Sequence, residues 1–119
     1  AVNDHLRAFG FKQARLSPEP VSKTVAEFGY PGATPAISSN GARDGIVWAA
    51  ENGDPAVLHA YDANNLGHEL YNSNQAGKRD HFGAGNKFIT PVIANGKVYV
   101  GTTDGVGVFG LLPRGQKSR

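Results

Sequence analysis

Three apolar segments of one pattern stand at near-constant spacing: "LRAFGF" (6–11), "LHAYDA" (58–63) and "VGVFGL" (106–111), 52 and 48 residues apart. The second and third follow a shared pair. "TPAISSNG" (34–41) precedes "GIVWAA" (45–50), and "TPVIANG" (90–96) precedes "KVYVGT" (97–102), with the Thr-Pro dipeptides 56 residues apart. Recurrence near fifty residues with the order kept marks a repeated β unit, which buries its apolar surface only against its neighbours.

Each unit reads as successive strands. Proline opens the first, where its missing N–H costs no ladder bond. Asn40-Gly41 and Asn95-Gly96 supply turns; the first is expected to be longer, "NGARDG", and the second tight. "IVWAA" and "VYVG" are continuously apolar, as strands covered on both faces are. Strands are predicted at 6–11, 34–39, 45–50, 57–62, 69–73, 88–94, 97–102 and 106–111. "SKTVAEFG" (22–29) is the one weak helical candidate and is assigned to loop. Sixteen glycines and seven prolines in 119 residues agree with an all-β, turn-rich antiparallel chain. Ile37, Val47, Leu58, Tyr61, Ile93, Val98, Val100, Val108 and Phe109 are expected to be buried between units.

Composition narrows the function classes. The net charge is +2, and Arg114, Lys117 and Arg119 lie in the last six positions. No basic stripe with interleaved aromatics marks a nucleic-acid surface. No apolar run approaches the roughly 18 residues of a membrane span. Without cysteine there is neither disulfide nor thiol chemistry.

Four-stranded antiparallel units at this period imply β-propeller blades. "TPVIANGKVYVGTTDGVGVFGLL" resembles the quinoprotein-type repeat, and "LHAYDANNLGHELYNS" is similar to that repeat's second half. "RDHFGAGNKFITPVIANGKVYVGTT" looks like the C-terminal end of bacterial pyrroloquinoline-quinone-like propellers. The resemblance implies the second half of a blade (6–16), a complete blade (34–73), three strands of a final blade (88–112) and a basic flexible tail (113–119). About two and a half blades cannot close a ring, which takes at least about four. The expected partners are therefore the remaining blades, or further copies joined through the open edge at 106–111. The resemblance also implies a periplasmic or extracellular compartment, although the chain shows no signal peptide.

In a propeller the loops after the second and fourth strands share one face. Here they are 74–87, 50–55 and 102–105, and the candidate ligand-binding residues are Arg79, Asp80, His81, Asn86, Lys87, Glu51 and Asn52. An Asp beside a His suits a general base or a pair of metal ligands; the plainer alternative is an ordered loop in which Asp80 caps amides. Glu51, Asn52 and Asp54 offer oxygens of the kind calcium takes, yet their spacing suits a turn equally well. Trp48 stacks on a flat quinone or packs between blades, and Tyr99 at the equivalent position favours packing. His59 reads as a structural histidine with satisfied nitrogens, His5 and His68 as turn or surface residues. No catalytic or metal-binding motif is assigned. The expected function is a ligand- or protein-binding scaffold without its own cofactor. The alternative is part of a quinone-dependent dehydrogenase using pyrroloquinoline quinone and calcium, its catalytic residues elsewhere.

Overall fold

The computed structural model describes residues 1–113; residues 114–119, which hold most of the expected tail, lie outside them. The chain forms three antiparallel sheets in sequence order. The first is a hairpin of β1 (Asp4–Lys12) and β2 (Arg15–Phe28). The second runs β3 (Ala36–Asn40), β4 (Arg43–Glu51), β5 (Val57–Asp62) and β6 (Asn65–Asn72), each paired with its chain neighbour. The third holds β7 (Val92–Ala94), β8 (Lys97–Gly101) and β9 (Val106–Phe109). A single 3₁₀ turn, Gly77–Asp80, interrupts the connection from β6 to β7.

The sheets stack face to face, and the side-chain period of two explains how. Along β4, Val47 and Ala49 join Phe28, Tyr61 and Leu66 in a core shared with the first sheet, with Leu6 and Ala8 packed against it. The intervening Trp48 and Ala50 point the other way, onto Leu58, Val98 and Val100 in a core shared with the third sheet. Both faces of the middle sheet are thus covered, which is why "IVWAA" is apolar without alternation. Burying each of these valines or leucines is worth about 1.5–3 kcal/mol over leaving it in water.

Residues 22–28 are the end of strand β2, correcting the loop assignment of 22–29, and only Gly29 lies outside it. Ser22, Thr24, Ala26 and Phe28 turn inward while Lys23, Val25 and Glu27 turn out. The alternation was masked because two inward residues are hydroxylic and one outward residue is valine. The first unit therefore extends well past residue 16. The turn at 40–43 is tight rather than long: Asn40 pairs with Arg43, and the irregularity falls inside the strands, with Asp44 at φ 56°. Strands β3 and β7 start later than expected, after both Thr-Pro pairs.

Two expected core residues are exposed. Ile37 is 67% exposed because it lies beside Val47 on the face toward the first sheet, which has only two strands and does not reach β3. Val108 is 56% exposed because it alternates with Gly107 and Phe109 and faces away from the middle sheet. Val47, Leu58, Tyr61, Val98 and Val100 are buried as expected, and Ile93 and Phe109 are half-buried.

Candidate functional site

Four connections gather at one end of the stack. The 81–89 segment is stitched to the β4–β5 loop by Ala56 N–H to Gly83 O (2.9 Å) and Gly85 N–H to Gly53 O (2.7 Å). On its other side, Thr103 N–H donates to Ala84 O at 3.2 Å, and Gly85 bridges Thr102. Gly85 makes this threading possible: a Cβ there would lie 2.6 Å from Asn52 Oδ1 and 3.0 Å from Gly53 N. The β2–β3 loop closes the group, since Pro31, Gly32 and Thr34 face Ala50–Asn52, Gly85, Asn86, Phe88 and Ile89 across a cleft. Its cavity volume is about 20 Å³, room for roughly one water molecule.

The predicted site residues divide into two groups. Glu51, Asn52 and Asn86 line the cleft. Lys87 sits beside it, its Nζ 5.1 Å from the centre of the Tyr30 ring, a cation–π contact joining two loops. Phe88 follows at φ 62°, a conformation costly for an aromatic residue, and is 73% exposed. Tyr30 is exposed as well. The second group is Arg79 and Asp80 in the 3₁₀ turn. Arg79 donates from Nε (2.6 Å) and Nη2 (2.8 Å) to the Asp80 carboxylate, which also accepts the Tyr71 O–H at 2.7 Å. These bonds, the arginine's first, hold the Asp80 carboxyl below its ordinary range, against the opposing effect of burial. Burial first, then Asp80, pushes the Tyr71 phenol up. Asp80 is therefore occupied, and the adjacent His81 is exposed. Among the described residues Asp80 accepts from the Arg79 and Tyr71 side chains rather than from the backbone amides expected of a cap. These bonds tie the 3₁₀ turn to β6.

The sequence did not reveal the network behind the cleft. His59, 7% exposed, has Nδ1 at 2.5 Å from Glu69 Oε1 and Nε2 at 2.9 Å from Glu51 Oε2. A doubly protonated ring satisfies both carboxylates at once, whereas a neutral ring satisfies one. Tyr61 stacks on it (5.8 Å, 7° between planes), and Phe28 meets it edge-on at 5.5 Å. The Tyr61 hydroxyl is buried without a hydrogen-bond partner among the described residues; burial first, then Glu69 and Glu51, pushes this phenol up. His59 has its nitrogens satisfied, as expected. The strand alternation and the pairing of Ala49 with His59 bring these groups together across β4, β5 and β6. A repeat signal was available for one part: Phe28-Gly29 and Phe82-Gly83 each precede a Thr-Pro, and both phenylalanines pack on the following sheet.

Glu51 is engaged by His59, and no group of three or more acidic, histidine or cysteine residues suited to a metal occurs among the described residues. No protein-family model, curated protein or solved structure matches this chain.

Proposed function

We propose that the three sheets are successive blades of a quinoprotein-type β-propeller, acting as a non-catalytic scaffold that binds a protein or peptide on its loop face. The blade reading is supported by three sheets in chain order, two of them sharing the Thr-Pro strand order, stacked through alternating faces. The observation that carries the binding reading is the exposed aromatic pair Tyr30 and Phe88, linked by Lys87 at the rim of a polar cleft. Aromatic anchors next to polar groups are what protein-binding hot spots use, and a strained exposed Phe88 is kept in place by loops hydrogen-bonded on both sides.

The residues do not fit a bound quinone. Trp48, the natural stacking partner, lies between sheets with its Nε1–H on Ser38 Oγ at 2.9 Å, and the cleft admits about one water. Export to the periplasm or outside the cell belongs to the same proposal and rests on the resemblance alone.

Selection of peptide ligands from a display library on the immobilised chain tests the binding reading. Selected ligands should lose about tenfold or more in affinity with Phe88→Ala or Tyr30→Ala, about 1.4 kcal/mol. Ligands that bind both variants unchanged would place recognition elsewhere. Titration with pyrroloquinoline quinone and calcium should produce no saturable bound-quinone absorbance; saturation would favour the dehydrogenase alternative.

A further inference from the structure

The first two sheets receive their outer strands in the same way. In the first, the Leu6 amide donates to Thr24 Oγ1 at 3.1 Å; in the second, the Leu58 amide donates to Ser73 Oγ at 3.0 Å. Thr24 is 1% exposed and Ser73 0%, and with His59 they are the buried polar residues of the described chain. Leu6 and Leu58 hold the same place in the repeat, as first residues of "LRAFGF" and "LHAYDA". The reason for a hydroxyl lies in the pairing. Between β1 and β2 the register shifts from His5 to Arg7, around Leu6, and the β5–β6 ladder begins at His59 opposite Asn72, one residue short of Leu58. No ladder carbonyl meets the amide there, and a serine or threonine oxygen substitutes for it. Ser73 completes the exchange by donating its own N–H to Leu58 O at 3.0 Å.

The third copy of this position is Val106. It stands opposite Gly101 as Leu58 stands opposite Ala50, so the same register turns its amide away from β8 toward the free edge of β9. No strand among the described residues pairs with that edge.

We propose that the free edge of β9 docks one extended segment of a separate polypeptide, antiparallel to β9. That segment carries a serine or threonine whose hydroxyl accepts the Val106 N–H. The inference rests on the blade reading and adds to it the chemistry that selects the strand. Continuity supports the occupant: the β1–β2 and β5–β6 pairings are both closed by a buried hydroxyl, and β9 is the third strand of the same unit.

A synthetic peptide of residues 65–73, "NLGHELYNS", titrated into the full 119-residue chain, provides the test, read by residue-resolved amide hydrogen exchange. Protection of Val106 to Phe109 is expected. The Ser73→Ala peptide should bind about tenfold or more weakly, because it leaves a paired amide without an acceptor, and Ser73→Thr should restore binding. Equal protection by the serine and alanine peptides would overturn the hydroxyl requirement while leaving strand addition standing. Absence of protection with every peptide would overturn strand addition at β9 as well. Protection confined to β5, by exchange with the chain's own β6, would also overturn the proposal.

Discussion

His59 is held from both sides, and the residues around it differ in what they contribute. Replacing it with alanine removes two hydrogen bonds to carboxylates and the stacking surface for Tyr61. His59→Ala should cost at least about 1.5–3 kcal/mol, the worth of one charged hydrogen bond, measured by chemical denaturation. Tyr61→Phe should behave oppositely. The ring stays packed against Phe28 and Val47 while an unpartnered buried hydroxyl disappears, so stability should be unchanged or rise by up to about 1 kcal/mol. A clear loss would mean that the phenol has a partner in solution.

At the level of elements, the joints between sheets carry the stability. Val98, 5% exposed between the middle and third sheets, should lose about 1–3 kcal/mol on replacement by alanine, through lost transfer energy and a residual cavity. Gly107 tests the same joint by crowding. A Cβ there would meet the Phe82 ring at 2.7–2.8 Å, where Phe82 also packs edge-on against Phe109. Gly107→Ala should cost about 1–3 kcal/mol, and adding Phe82→Leu should recover part of the loss. The anchor of the 3₁₀ turn responds to pH instead. Asp80 titrates below its unfolded value near 3.9, so its contribution is complete above that value and disappears as pH falls through the lower folded value. Thermal denaturation should therefore show an acid loss below about pH 4 that is smaller in Asp80→Asn.

Across the whole molecule, the stack ends in bare surfaces. On the far side of the third sheet Val92, Val106 and Val108 are 59%, 62% and 56% exposed, and Tyr99 pairs with both Val92 and Val108 to form one cross-strand row. On the hairpin, Phe11, Leu16, Val21 and Val25 are exposed too. Apolar sheet surface of this kind marks an interaction site, and the uncharged β9 edge invites strand pairing. The 119-residue chain should associate at micromolar concentration, seen by light scattering, and Val108→Lys should weaken the association. Association unchanged by that lysine would move the contact to the hairpin end.

Local chemistry written along the chain fixed much of this in advance. Thr-Pro, Asn-Gly and the apolar strands after them placed eight of the strands and the three-part order, because turn residues and side-chain alternation act over a few residues. The continuously apolar run Ile46–Ala50 foretold a sheet covered on both sides, whereas "VYVG", read the same way, is covered on one face only. Val98 and Val100 are buried against the middle sheet, while Tyr99 lies in a row with the exposed Val92 and Val108. Tertiary structure decided what depends on which surface lies opposite. Ile37 and Val108 share the apolar pattern of their buried neighbours, yet no sheet covers them. Residues 15–28 form the longest strand although hydroxyls occupy their inward face, because those hydroxyls accept amides that only pairing and stacking present to them. Likewise the meeting of Glu51, His59 and Glu69 arises from the register of three strands, and no short-range pattern encodes it.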